Sequence, residues 1–341
     1  MRISSLPQDE NRTLLWLALW IALSCNLATL WTAWPSGVAV DYAVFWRAVN
    51  GQSDVYAHVS QPFVYPPTAL IWFQPLKLVS LWTGFILWSL LSVGLFWAAT
   101  ARLYGMAAAG LAIVSPAILL ALVPGQTSLL AAAGLFLAFS SPPLWRGFFL
   151  GAVFTFKPQL VALAPLFLLF DRDLKAALAM AATVGCVVLL ATLIFGLSAW
   201  SQWLTVLPHF QQVIIDRGFT ISAASPAAIA PLIGLPRLPA AILGSCIALW
   251  ILARSRGAPP AVMAASVATA SLLSAPYALK YDFVAIAPLM SAAILGRSGR
   301  SALAGCVAYT ATLGPLCLAA SAYVNSWRKG DLRARDLQTT I

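Results

Sequence analysis

Residues 147–170 read GFFLGAVFTFKPQLVALAPLFLLF, and Lys157 is the single charge in the run. Two apolar halves of about ten residues each flank Phe156-Lys157-Pro158-Gln159, where an uninterrupted crossing helix would need about 20. Proline lacks the N–H that a helix interior needs, so the segment is expected to be a discontinuous element. Its break must face protein or water, because unpaired backbone cannot face lipid. A stretch of this kind belongs to an all-α polytopic membrane protein.

The same texture continues outward from the break. Of 341 residues, 61% are hydrophobic and 9% charged, and the mean hydropathy is +0.87. Such a balance excludes a cytosolic enzyme, a secreted disulfide scaffold and a disordered tail protein. At about 20 residues per span there is room for roughly ten crossings, or roughly 9–12 counting short and broken ones, within one integral membrane domain over residues 1–341. The net charge of +10 comes from 20 Lys+Arg against 10 Asp+Glu. These basic residues stand singly or in pairs between apolar runs, as topology signals beside anionic headgroups do, so nucleic-acid binding is not expected. The five cysteines (Cys25, Cys186, Cys246, Cys306, Cys317) lie in apolar segments without a CxxC and read as small hydrophobes.

Arg2 and Arg12 precede an apolar run at 14–34, which is longer than a signal-peptide core and reads as a retained first span with the N-terminus inside. A first external loop follows at 35–67. Residues 68–81, interrupted by Gln74, Pro75 and Lys77, read as an interfacial helix. Spans are expected at 81–101, 106–123, 128–144, 147–170 (broken), 176–197, 238–253 and 258–273, then in a helix that follows the outer turn 276–282 and ends at Arg297 and Arg300, and last at 301–323, with a second external connection at 198–236. This threading puts Arg102, Arg146, Arg172, Lys175, Arg254, Arg256, Arg297 and Arg300 inside, in agreement with the positive-inside rule. The basic tail at 324–341 then ends outside, against the rule.

Charges near or within spans are costly, which makes them functional candidates. On the outer side these polar groups are Asp41, Tyr42, Arg47, Asp54, His58, Tyr65, Gln126, Lys157, Gln159, His209, Asp216, Arg217, Lys280, Tyr281 and Asp282. With two histidines in the chain, a zinc site or a Ser-His-Asp triad is not expected. What remains is a carboxylate at the membrane surface, Asp41, able to take a proton from a hydroxyl, and cations able to neutralise a leaving phosphate: Lys157, Lys280, Arg217 and Arg47. The plainer alternative pairs Asp41 with Arg47, and leaves Lys157 and Lys280 to snorkel or to pair with Asp282.

The run Asp41-Tyr42-Ala43-Val44-Phe45-Trp46-Arg47-Ala48, with Gly51, Val55-Tyr56, Phe63-Val64-Tyr65-Pro66-Pro67 and Gln74-Pro75-Leu76, closely resembles the first external loop of glycosyltransferase family 87. Gly125-Gln126-Thr127-Ser128 is similar to that family's Gly-Gln turn, Phe156-Lys157-Pro158-Gln159 to its Lys-Pro-Gln break, and Ser274-Ala275-Pro276-Tyr277 to its late Ser-Pro segment. The family includes polyprenyl-phosphate-mannose-dependent α-mannosyltransferases of actinobacterial glycolipid synthesis and belongs to the GT-C superfamily. The resemblance therefore implies a GT-C-type bundle with its active-site loop on the outer face of a bacterial cell membrane. It implies an inverting, metal-independent hexosyltransferase without a cofactor, whose donor is a polyprenyl-phosphate sugar and whose acceptor is a lipid or glycan. By resemblance Asp41 is the general base, and Tyr42, Arg47, Tyr65, Gln126, Lys157, Gln159, Tyr277 and Lys280 contact substrate. The chain departs from the family at Tyr277-Ala278-Leu279-Lys280-Tyr281-Asp282, where the family carries histidine, and Lys280 would keep a cation there. It is also short for the family, so one or two terminal helices are expected to be missing. The rival readings are a transporter or flippase, which predicts mid-membrane polar residues and a repeat, and a non-catalytic scaffold in polysaccharide assembly. No repeat is visible in the sequence.

Overall fold

The computed structural model describes residues 9–51, 55–56, 63–216 and 225–296, and among these it contains helices and turns without strands. The first part of the chain forms α1 (Asp9–Ala33), α2 (Val40–Asn50), α3 (Pro67–Phe73), α4 (Leu81–Tyr104), α5 (Met106–Ile113) and α6 (Pro116–Leu122). Then come α7 (Ser128–Phe139), α8 (Pro143–Phe156), α9 (Ala164–Phe170) and α10 (Leu174–Asp216). The remainder forms α11 (Pro226–Ile229), α12 (Arg237–Arg254), α13 (Pro260–Ser274) and α14 (Ala287–Gly296). The expected last span at 301–323, the tail at 324–341, Cys306 and Cys317 lie outside the described residues, as do Asp54, His58, Arg217 and the side chains of His209 and Asp216.

Among the described residues, four helices are long and apolar enough to cross a membrane: Leu15–Ala33, Leu81–Tyr104, Leu174–Pro208 and Arg237–Arg254. Their outward faces carry large apolar side chains, with Trp31 at 85%, Leu193 at 75% and Leu178 at 72% exposure. Such faces need a hydrocarbon solvent. The other apolar runs are shorter and lie inside. Every residue of α13 from Ala261 to Leu273 is buried, so this helix is shielded by protein and has no need of a full bilayer length. The expected span at 106–123 is in fact two short helices, because Pro116 starts a new helix after Ser115.

The break first read at Lys157-Pro158 is present. α8 ends at Phe156, Pro158–Leu160 forms a 3-10 turn, and α9 resumes at Ala164. Its freed backbone is satisfied by neighbouring elements: Leu163 N–H donates to the buried Ser271 Oγ of α13 at 3.1 Å, and Thr68 of α3 donates its hydroxyl to the Thr155 carbonyl at 2.5 Å. α10 bends at Gly196, whose φ of 77° a residue with a Cβ would resist. Residues 198–216, read from sequence as part of an external connection, continue as helix beyond that bend.

Three bonds tie the short basic loops together at one end of the bundle. Arg102 donates to the Ser140 carbonyl at 3.3 Å, Arg146 pairs with Asp173 at 2.5 Å, and Gly257 N–H donates to Asp171 at 3.1 Å. α7 has 12 residues and α8 has 14, so their other ends lie about 18–21 Å away. At those far ends stand Gln126, Ser128 and Lys157.

Candidate active site

Asp41 reaches this far end because the start of α2 is docked onto a turn. Ala39 N–H donates to the Val123 carbonyl at 2.8 Å, and Asp41 and Tyr42 N–H both donate to the Pro124 carbonyl at 2.9 Å. Ala39 takes a left-handed conformation, φ 59°, to enter the helix; a strained residue of this kind costs about 1–3 kcal/mol and persists only where its surroundings hold it. Gly125 is required twice over. Its φ is +78°, and an added Cβ would stand 2.6 Å from the Tyr42 Cβ.

A continuous polar chain starts at the Asp41 carboxylate. Gln126 Nε2 donates to Asp41 Oδ2 at 2.6 Å. On the other side of the same amide, Gln126 Oε1 accepts from the Tyr65 hydroxyl at 3.2 Å and from Lys157 Nζ at 3.4 Å. Lys157 Nζ lies 3.1 Å from Asp282 Oδ1, with the two side chains 0% and 1% exposed, and 4.9 Å from the centre of the Tyr281 ring. Ser128 donates to the same Asp282 oxygen at 2.9 Å, and Leu279 N–H donates to Asp282 Oδ2 at 3.4 Å. Removing two charges from water costs several kcal/mol per ion, offset here by their attraction and by these added donors.

The two carboxylates differ in what remains open. Asp282 is bonded through both oxygens. Asp41 is only half-buried, and Oδ1 has no hydrogen bond among the described residues. Burial raises the Asp41 carboxyl above the ordinary range, against the opposing pull of the Gln126 bond and the Lys157 charge. A carboxylate with one free oxygen and a raised affinity for protons is suited to general-base work.

The other expected site residues divide into two groups. Tyr65 is held in the chain by an aromatic platform: its ring meets Phe45 edge-on at 5.2 Å, and Phe45 stacks on Phe73 at 4.7 Å. Trp203 of α10 fixes the same strip by donating to the Val64 carbonyl at 3.0 Å. Tyr277 is half-buried in the short link between α13 and the turn Lys280–Ala285 that carries Asp282. Tyr42, by contrast, is fully buried against Phe85 and Trp88, with its hydroxyl unpartnered and packed against the Gly84 backbone. Arg47 is exposed, farther along α2, and Asp41 is bonded to Gln126 and not to it. Gln159 and Lys280 are half-buried, and their side chains take no hydrogen bond or ion pair among the described residues.

Asp282, Tyr281, Ser128 and Thr127 complete the site and were not chosen as binding residues from the sequence. Asp282 carried a legible signal, since a carboxylate inside an apolar run needs a partner and Lys157 stands in one too. Ser128 and Thr127 carried none beyond their place in the Gly-Gln turn.

Comparison with curated proteins and with solved structures gives no match. A family model does match, over a stretch that begins past Asp41 and ends before Tyr277 but includes Tyr65, Gln126, Lys157 and Ser274-Ala275-Pro276. Residues 63–276, more than half of the chain, match glycosyltransferase family 87, and the chain belongs to that family and is a membrane glycosyltransferase.

Proposed function

We propose that the protein moves a hexose, mannose by its family likeness, from a polyprenyl-phosphate donor to a hydroxyl of a glycolipid or polysaccharide acceptor, with Asp41 as the base. The observation that carries this reading is the half-buried Asp41 carboxylate, with Oδ2 held by Gln126 and Oδ1 unbonded among the described residues. The acceptor hydroxyl gives its proton to Oδ1 as its oxygen bonds to the anomeric carbon. The bond from that carbon to the phosphate oxygen breaks on the opposite face, so the configuration inverts. The departing lipid phosphate gains a negative charge that cations and hydroxyls must stabilise. Gln159 and Lys280, whose side chains take no hydrogen bond or ion pair among the described residues, are the proposed ligands of that phosphate. Because the donor is a lipid monophosphate, its departure asks for one such neutralisation and no metal bridge between two phosphates.

The site is assigned to the outer, periplasmic face of a bacterial cell membrane. This is supported by the gathering of Arg102, Arg146 and the Asp171–Lys175 and Arg254–Gly257 loops at the opposite end, since basic loops favour the cytoplasm. The test is Asp41→Asn in proteoliposomes supplied with polyprenyl-phosphate mannose and a lipid extract as acceptor. Transfer is expected to fall by about 10²–10⁴-fold with insertion unchanged. Turnover like that of the native protein would remove Asp41 as the base.

A further inference from the structure

We infer that Asp282 is a positioning residue for Asp41: by holding the Lys157 ammonium it keeps that cation off the Asp41 carboxylate, and through Lys157 it fixes the Gln126 amide that carries Asp41. This rests on the reading of Asp41 as the base. In the proposed function Lys157 is left without a task. It is fully buried and spends its charge on Asp282 at 3.1 Å, so it is not presented to a donor phosphate.

The hydrogen-bond directions make the arrangement one-way. A glutamine carbonyl oxygen only accepts, so Tyr65 must spend its single proton on Gln126 Oε1. Thr127, 3.1 Å from the Tyr65 hydroxyl, must then be the donor in that pair. Lys157 adds a second donor to the same carbonyl. With Oε1 committed twice, the amide nitrogen has one orientation, and it faces Asp41 at 2.6 Å. Turned the other way, the amide would set its carbonyl against an ionised carboxylate.

Lys157 and Asp41 touch opposite sides of one amide. Without Asp282 the buried ammonium, which needs a partner, is left with Asp41 across the Gln126 amide as the other carboxylate beside it among the described residues. Among the described residues, the groups that bear on Asp41 are Tyr65 before α3, Gln126 in the α6–α7 turn, Lys157 at the end of α8 and Tyr281 on the turn Lys280–Ala285, with Asp282 behind Lys157. Among them Lys157 is the one cation. An opposite charge at contact lowers a carboxyl by about 1–3 pH units, which would make Asp41 a poor base. Asp282 thus leaves Asp41 paired with a neutral amide.

The experiment follows Asp41 without a substrate. Dicyclohexylcarbodiimide labels protonated carboxyls, and peptide mass analysis of purified protein in detergent reads the Asp41 labelling midpoint against pH. In Asp282→Asn the midpoint is expected to fall by about 1–3 pH units. In Asp282→Asn combined with Lys157→Met it is expected to return to the native value or above. An unmoved midpoint in the single variant, or the same fall in both, overturns the inference. If the single variant fails to insert, the charge-free double variant decides through kinetics with polyprenyl-phosphate mannose. A lowered kcat with an unchanged donor KM supports a positioning role, and a raised donor KM makes Lys157 a phosphate ligand and overturns it. Failure of the base assignment itself is seen separately, as retained turnover in Asp41→Asn.

Discussion

Asp41 at the start of α2 and Asp282 on the turn Lys280–Ala285 belong to one polar chain, yet the two regions treat the same functional group in opposite ways. Around Asp282 both carboxylate oxygens are satisfied, by Ser128, by the Leu279 N–H and by the ammonium of Lys157, and the side chain is 1% exposed. Around Asp41 one oxygen is held and the other is open, with neutral Gln126 as its bonded partner. Burial alone therefore does not mark a reacting group. What marks it is hydrogen-bonding capacity left over after the fold has taken its share.

The largest test of this contrast is the stability of Asp41→Asn beside its activity. A carboxyl raised by burial keeps its proton in the folded state where the unfolded chain has already lost it. Between the ordinary carboxyl value and the raised one, the folded state thus binds more protons, and stability falls as pH rises through that window. Above the window the charge remains a cost, and Asn removes it. The variant should lose about 10²–10⁴-fold in transfer while unfolding at pH 7 at an equal or higher temperature in detergent. A marked loss of stability would make Asp41 a structural residue like Asp282.

Asp282→Ala should do the reverse on stability. Breaking one side of a buried pair leaves Lys157 uncompensated, at a cost of about 3–5 kcal/mol, which denaturant unfolding in detergent would read. A change near zero would mean that water reaches the pair and that the two regions are alike after all.

Gln126→Leu sharpens the comparison from the side of the base. The bond to Gln126 pulls the Asp41 carboxyl down against desolvation, and hydrogen bonds to charged groups are worth about 1.5–3 kcal/mol. Its loss should move the acid limb of the pH–rate profile upward by about one to two units. A downward move would mean that Lys157 has closed on Asp41 in place of the amide.

The smallest effect is expected for Tyr42→Phe. Its hydroxyl has no partner and lies against the backbone of Gly84, so stability should change by about 0.5 kcal/mol or less. Transfer should be unaffected. A clear loss of activity would place the hydroxyl in contact with substrate and extend the open region around Asp41 inward.

Much of the fold is visible in the order of residues. Apolar length and the Lys-Pro interruption are local properties, so the membrane class, the first span and the broken helix at 147–170 can be read directly. The interruption of 106–123 at Ser115-Pro116 was open to the same reasoning, since proline starts a helix more readily than it continues one. The site is less legible. Asp41, Gln126 and Lys157 stand out as polar groups among apolar runs, but which cation meets which anion does not follow from their types. Lys157 had Asp41 and Asp282 as possible partners, and Asp41 had Arg47 close by in sequence.

The amino-acid order alone thus determined a multi-span helical protein with a few costly polar groups, because the price of burying charge in lipid is set by residue type. The tertiary structure decided the assignment among those groups. It docked α2 on the 123–125 turn, joined Asp41 to Gln126 across 85 positions and Ser128 to Asp282 across 154, and gave Lys157 to Asp282. Such partnerships depend on distances of a few ångströms between remote segments, which only the packed bundle defines. One carboxylate was thereby consumed by the fold, and the other was left able to accept a proton.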